Sequence, residues 1–200
     1  MKMAKKFLAV ALAGVLVLSV LTGCGASVKS KDIADALNKM NVKVEQDDGV
    51  DKAAEETLAA IEAIIASDTN TAAGEDDKIT LDNAVNDTTG KIIEMNNIIN
   101  DPNSVVRKAL GMMATGTPAE TAHNEGLIRV ALVNIENAKK DASLQAAFVK
   151  DGLVQAHSAI VHTPETHEVA KTGKLGTAKT KDGKYMLVVI VNDVVAKANT

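Results

Sequence analysis

From Ser30 onward the apolar positions of this chain recur every three or four residues, the spacing that lines one face of a helix. Ile33, Leu37 and Met40 form a first short stripe, and Val42-Lys43-Val44-Glu45 then alternates apolar and polar, as a brief strand or a connection does. Ala54, Leu58, Ile61 and Ile65 set a second stripe over residues 51–67, where Asp51 is placed to cap the helix and acidic residues cluster early, complementing the helix dipole. Residues 68–77 keep no apolar period and read as a loop. Leu81, Val85, Thr88, Ile92, Met95 and Ile99 carry a three-four rhythm over residues 80–100. Asp101-Pro102 and Thr117-Pro118-Ala119-Glu120 each put a capping side chain before a proline, which predicts one helix ending at Gly116 and another running to Ala138. In the latter, Leu127, Val130, Ala131 and Asn134 lie along one side.

A further short helix is expected from Asp141, Leu144 and Phe148, stopped by Gly152. Residues 153–161 also read as helix, and Thr163-Pro164-Glu165 opens another that closes by Gly173. Two β-prone runs, 175–180 and 184–191, flank Lys181-Asp182-Gly183, and an Asp-Gly in that setting predicts a hairpin. The second run is apolar from Tyr185 to Val191, so both its faces need cover. A lone hairpin is marginal in water, so helices must pack on it, with residues 42–46 available as a third strand. The expected fold class is α+β and helix-dominated: a helical bundle with a small C-terminal antiparallel hairpin or three-stranded sheet, in one domain over residues 31–200.

The N-terminus is of another kind. Residues 1–23 hold Lys2, Lys5 and Lys6, no acidic residue, and an unbroken run of apolar and small residues from Phe7 to Leu21. That is the layout of an export signal, and the run is short for a permanent membrane span. It ends in Leu21-Thr22-Gly23-Cys24, which resembles the lipobox of bacterial lipoproteins in residue order and in position. The resemblance implies a signal peptide over residues 1–23, a diacylglyceryl group on the Cys24 thiol, and a lipid anchor and tether over residues 24–30. The mature protein would then sit on the extracytoplasmic face of the cell membrane, and two acyl chains hold durably where one is marginal. Cys24 is the single cysteine. No internal disulfide can form, and lipidation removes an unpaired thiol from an oxidising compartment.

Charge and composition narrow the partners. The chain of 200 residues has 22 basic and 26 acidic residues, and without Lys2, Lys5 and Lys6 the 19 basic residues that remain leave a net charge of about −7. An acidic body lacks the basic footprint of phosphate-backbone binding. Once Phe7 is removed only Phe148 and Tyr185 are aromatic, so there is no stacking platform for bases, and no nucleic acid partner is expected. The expected partners are the membrane, through the N-terminal lipid, and a protein, cell-wall component or small ligand.

Three of the four histidines, His157, His162 and His167, fall close together beside Glu165 and Glu168, and imidazole with carboxylate is a ligand set for zinc. The candidate metal set is His157, His162, His167 and Glu168. On a helix, separations of five turn successive side chains about 140° apart, although Pro164 can bend the chain. The plainer reading places these histidines on the surface, with His167 and Glu168 paired on a solvated helix. His123-Asn124-Glu125 offers a titratable ring beside a carboxylate, the minimum for a general base. No Gly-x-Ser-x-Gly elbow, phosphate loop or calcium loop is present in the sequence.

Residues 163–167, Thr163-Pro164-Glu165-Thr166-His167, with Gly176 and the Asp182-Gly183-Lys184-Tyr185 hairpin behind them, are similar to the C-terminal part of the secreted CAP (SCP-like) domain, which has Ser-Pro-x-His before a terminal hairpin. This chain has an extra residue before His167 and no Gly-Glu-Asn segment, so the residues of the CAP cavity have no counterparts to carry over. The expected function is a membrane-anchored lipoprotein with a non-catalytic binding or envelope-structural role and no cofactor. The alternative is a metal-binding or metal-dependent hydrolytic lipoprotein that uses zinc at the histidine cluster.

Overall fold

The strand at the centre of the fold is apolar from Tyr185 to Val191, and all 8 residues of Tyr185–Asn192 are buried. The computed structural model describes residues 27–74, 78–82, 127–154, 157–160 and 166–198. Their elements in chain order begin with α1 (Ser30–Lys39), β1 (Val44–Gln46), α2 (Asp48–Ile65) and a helical turn, α3 (Asp68–Thr71). After them come β2 (Leu127–Asn134), a 3-10 turn (Glu136–Ala138), α4 (Ala142–Val154) and β3 (His157–Ile160). The C-terminal part holds β4 (His167–Val169), β5 (Gly173–Lys179), β6 (Tyr185–Asn192) and β7 (Val194–Ala196). Five strands form one sheet in the order β1-β5-β6-β2-β3, and β4 pairs with β7 in a separate ribbon. β1 runs parallel to β5, while the other pairings are antiparallel.

Alternation along β6 sends its side chains into two cores. Tyr185, Leu187, Val189 and Val191 meet Val50, Ala54, Leu58 and Ile61 of α2. Met186, Val188 and Ile190 meet Ile33 and Leu37 of α1 and Ala146 and Val149 of α4. The fold is therefore three-layered, with α2 on one face of the sheet and α1 and α4 on the other.

This corrects the expected helix-dominated bundle: the sheet is the centre and the helices cover it. The decisive segment is Leu127–Asn134, expected as helix and found as β2, in full register with β6 from Leu127↔Asn192 to Asn134↔Tyr185. Its apolar run fits a helical stripe, but a strand covered on both faces needs no alternation, and Ile128, Val130 and Val133 are β-branched. Further corrections concern the segments that follow. Within residues 153–161, α4 ends at Val154 and β3 begins at His157, and the helix expected to close by Gly173 gives way to β4, which pairs with β7. Gly152 does not stop α4, which continues through it. Leu81 and Asp82 are helical, whereas the rest of the helices expected over residues 83–126 lies outside the described residues.

Side chains fix how the layers meet. Asp47, not Asp51, caps α2, its carboxylate accepting from Val50 N at 3.0 Å. Asp51 is thereby free to accept from Ser30 Oγ at 2.5 Å, Thr177 N at 2.8 Å and Gln46 Nε2 at 2.7 Å, tying α1, β5 and β1 to the first turn of α2. The region expected as a loop is organised by buried Asn70, which donates to Ile65 O and Ile79 O and accepts from Ile79 N.

Candidate functional site

β2 is an interior strand and Arg129 is its one charged residue. Its ladder neighbours are Ile190 of β6 and Ser158 of β3. Alternation places it on the side of Ala131 and Val133, the face that α1 and α4 cover. The guanidinium donates from Nη2 to Asn192 Oδ1 at 3.1 Å, and Asn192 Nδ2 donates to Ala170 O at 2.9 Å, so the Asn192 amide is committed at both ends. Gly173 makes the room for that amide: a β-carbon there would stand 3.0 Å from Asn192 Oδ1 and 2.7 Å from Ile190 Cγ2.

The Arg129 Nε is buried and has no hydrogen-bond partner among the described residues. Among the described residues no carboxylate pairs with this guanidinium. Burial pushes its pKa below the ordinary arginine value, yet arginine stays charged at any pH a protein tolerates. A partly buried cation without an internal counter-charge is costly, and the same fork of N–H groups matches a carboxylate or phosphate oxygen pair. Its charge is the feature of this face that an anion would answer. The helical reading of residues 127–134 does not single out Arg129; the signal that could have found it is a lone arginine within an otherwise apolar β-prone run from Leu127 to Val133.

The candidate metal residues are distributed over both sheets. His157 opens β3, opposite Val130. His167 lies on the β4–β7 ribbon, half-buried, with its Nδ1 2.8 Å from Thr166 Oγ1. Glu168 is the next residue on β4 and is exposed, and adjacent strand residues point to opposite faces. Among the described residues there is no group of three or more histidine, cysteine, aspartate and glutamate side chains able to hold a metal ion. His162, Glu165, His123 and Cys24 lie outside the described residues. No described helix is long and apolar enough to cross a membrane.

A second polar cluster closes the α2-side core. The Tyr185 hydroxyl donates to the Asp82 carboxylate, Lys184 Nζ stands 3.4 Å from the same carboxylate, and the Lys184 ammonium lies 5.1 Å from the Tyr185 ring centre. The Tyr185 hydrogen bond holds Asp82 below the usual carboxylate range, while burial, then the hydrogen bond to Asp82, push the Tyr185 phenol up. These contacts satisfy a buried phenol and join residue 82 to the sheet. No protein-family model matches the chain, and neither a curated protein nor a solved structure matches it.

Proposed function

We propose that this protein is a lipid-anchored extracytoplasmic binding domain whose ligand carries an anionic group received by Arg129. The anchor is supported by Leu21-Thr22-Gly23-Cys24 directly behind the apolar run from Phe7 to Leu21. The observation that carries the binding role is Arg129: a guanidinium on an interior strand, with a buried Nε that meets no partner among the described residues. Its described hydrogen-bond and ladder neighbours are the Asn192 amide, Ile190 and Ser158, none of which titrates near neutral pH. That setting suits holding an anion rather than transforming one.

The test is thermal unfolding of the full lipoprotein, extracted from membranes in neutral detergent, against acetate, succinate, phosphate and glycerol phosphate. A ligand that binds only the folded state stabilises it by about 2.7 kcal/mol at a hundredfold excess over Kd. The reading expects at least one of these anions to raise Tm with concentration in the wild type and to leave the Arg129→Met variant unmoved. No response, or equal responses in both proteins, removes it.

A further inference from the structure

The covalent distance between Cys24 and the fold is short. Val28 is already fixed: its carbonyl accepts from Lys179 Nζ at 2.7 Å and its side chain packs on the core shared by α1 and α4. The next residue is fixed as well, Lys29 N donating to Asp32 Oδ2 at 2.8 Å. Cys24 precedes Val28 by only four residues, which span at most about 14 Å in any conformation. A lipid on Cys24 therefore holds whichever end of the domain carries Val28 against the bilayer surface.

That end can be named from the contacts. Lys179 is the last residue of β5, the turn at residues 181–184 follows it, and Lys139 Nζ donates to Asp182 O at 2.8 Å. Ile135 N donates to Lys184 O at 2.7 Å, which brings the chain leading into α4 to the same place. The hairpin end thus gathers the N-terminal ends of α1 and α4, each with its partial positive charge. It also carries Lys29, Lys31, Lys139, Lys140 and Lys181, all exposed. Five acidic residues stand among them: Asp32, Asp141 and Asp182 accept from the backbone N–H groups of Lys29, Leu144 and Lys184, Asp82 pairs with Lys184, and Glu136 is the fifth. With Lys179 and Lys184 this end holds seven lysines against those five carboxylates, whereas the chain from Cys24 onward has 19 basic and 26 acidic residues.

Resting on the lipid-anchor reading of Cys24, we infer that the hairpin end is a membrane-docking face whose lysines sit among anionic phospholipid headgroups. Juxtamembrane lysines are drawn to such surfaces, and the attraction is screened by salt. The body, negative elsewhere, is repelled by the same surface, so the two effects select one orientation on the tether.

The experiment uses the intact lipoprotein in vesicles of phosphatidylcholine alone or of phosphatidylcholine with phosphatidylglycerol. A water-soluble amine-reactive reagent labels the lysines, and mass spectrometry reads each site. Labelling of Lys31, Lys140 and Lys181 is expected to slow at least about threefold in the anionic vesicles and to recover at high salt. Lys43 and Lys171, exposed at the opposite end of β1 and β5, should label alike in both. The doubly substituted Lys140→Glu, Lys181→Glu protein should lose the contrast at Lys31. Equal labelling at every site overturns the docking face. The intact mass of the same sample separates the premise from the inference: a correct lipid mass with unprotected lysines fails the face alone, and a missing lipid fails the anchor.

Discussion

Gly176 of β5 lies directly against the peptide that joins Val50 to Asp51 in the first turn of α2: a β-carbon on Gly176 would stand 2.1 Å from the Val50 carbonyl carbon and 2.2 Å from Asp51 N. Strand and helix backbones touch there, and the same approach lets the Asp51 carboxylate reach Thr177 N. Gly176→Ala must push α2 off the sheet, because the obstructing atoms are backbone and cannot rotate away. The expected cost is about 3 kcal/mol or more, read as a lower urea midpoint with an unchanged slope. A loss below about 1 kcal/mol would show that the helix seats elsewhere at little cost.

Asn70 makes three hydrogen bonds that hold Ile79 beside the C-terminal end of α2. Asn70→Ala leaves two carbonyls and an N–H without their protein partner, at a cost of about 2–3 kcal/mol. Limited proteolysis should cut the variant within residues 72–79 faster than the wild type. Unchanged cleavage would mean that these bonds do not restrain the segment.

The contact between Tyr185 and Asp82 carries a sign in pH. Asp82 is held below its ordinary value of 3.8, so its contribution is present above that pH and is lost as pH falls through the folded value. Tyr185 is raised above its ordinary 10.0, so its contribution is full below that pH and is lost as pH rises through the folded value. Urea titrations of wild type and Tyr185→Phe at several pH values should therefore differ by a constant amount between these limits and converge outside them. A difference that peaks or changes sign near neutrality contradicts the assignment.

Arg129 separates binding from stability. A guanidinium kept for structure destabilises the fold when removed, whereas one with an unmet buried Nε costs the ligand-free protein desolvation. Without added anions, Arg129→Met should match or exceed the wild type in urea stability. A loss of more than about 2 kcal/mol would make Arg129 a structural residue.

Local chemistry was legible in the sequence and long-range pairing was not. The turn at Lys181-Asp182-Gly183 forms between β5 and β6 as predicted, because its bonds are local: Asp182 accepts from Lys184 N at 2.9 Å and from Thr180 Oγ1 at 2.5 Å. The stripe of Ala54, Leu58 and Ile61 is equally local and is buried as expected. β1 pairs in parallel with β5 across more than a hundred residues, Val44 facing Gly173, and no periodicity near Val44 announces that partner. β2 carries a helical stripe in sequence because burial on both faces removes the alternation that marks a strand. A helical stripe gives Arg129 no special place, and the position of Asp51 suits a cap although its bonds reach Ser30 and Thr177.

Both the extracytoplasmic anchoring and the membrane-facing hairpin end depend on lipid at Cys24, and the mass of the N-terminal tryptic peptide of protein taken from a bacterial membrane tests it. The account predicts a peptide that begins at Cys24, ends at Lys29 and carries a diacylglyceryl thioether. A free thiol at Cys24, with the preceding residues still attached, would contradict it.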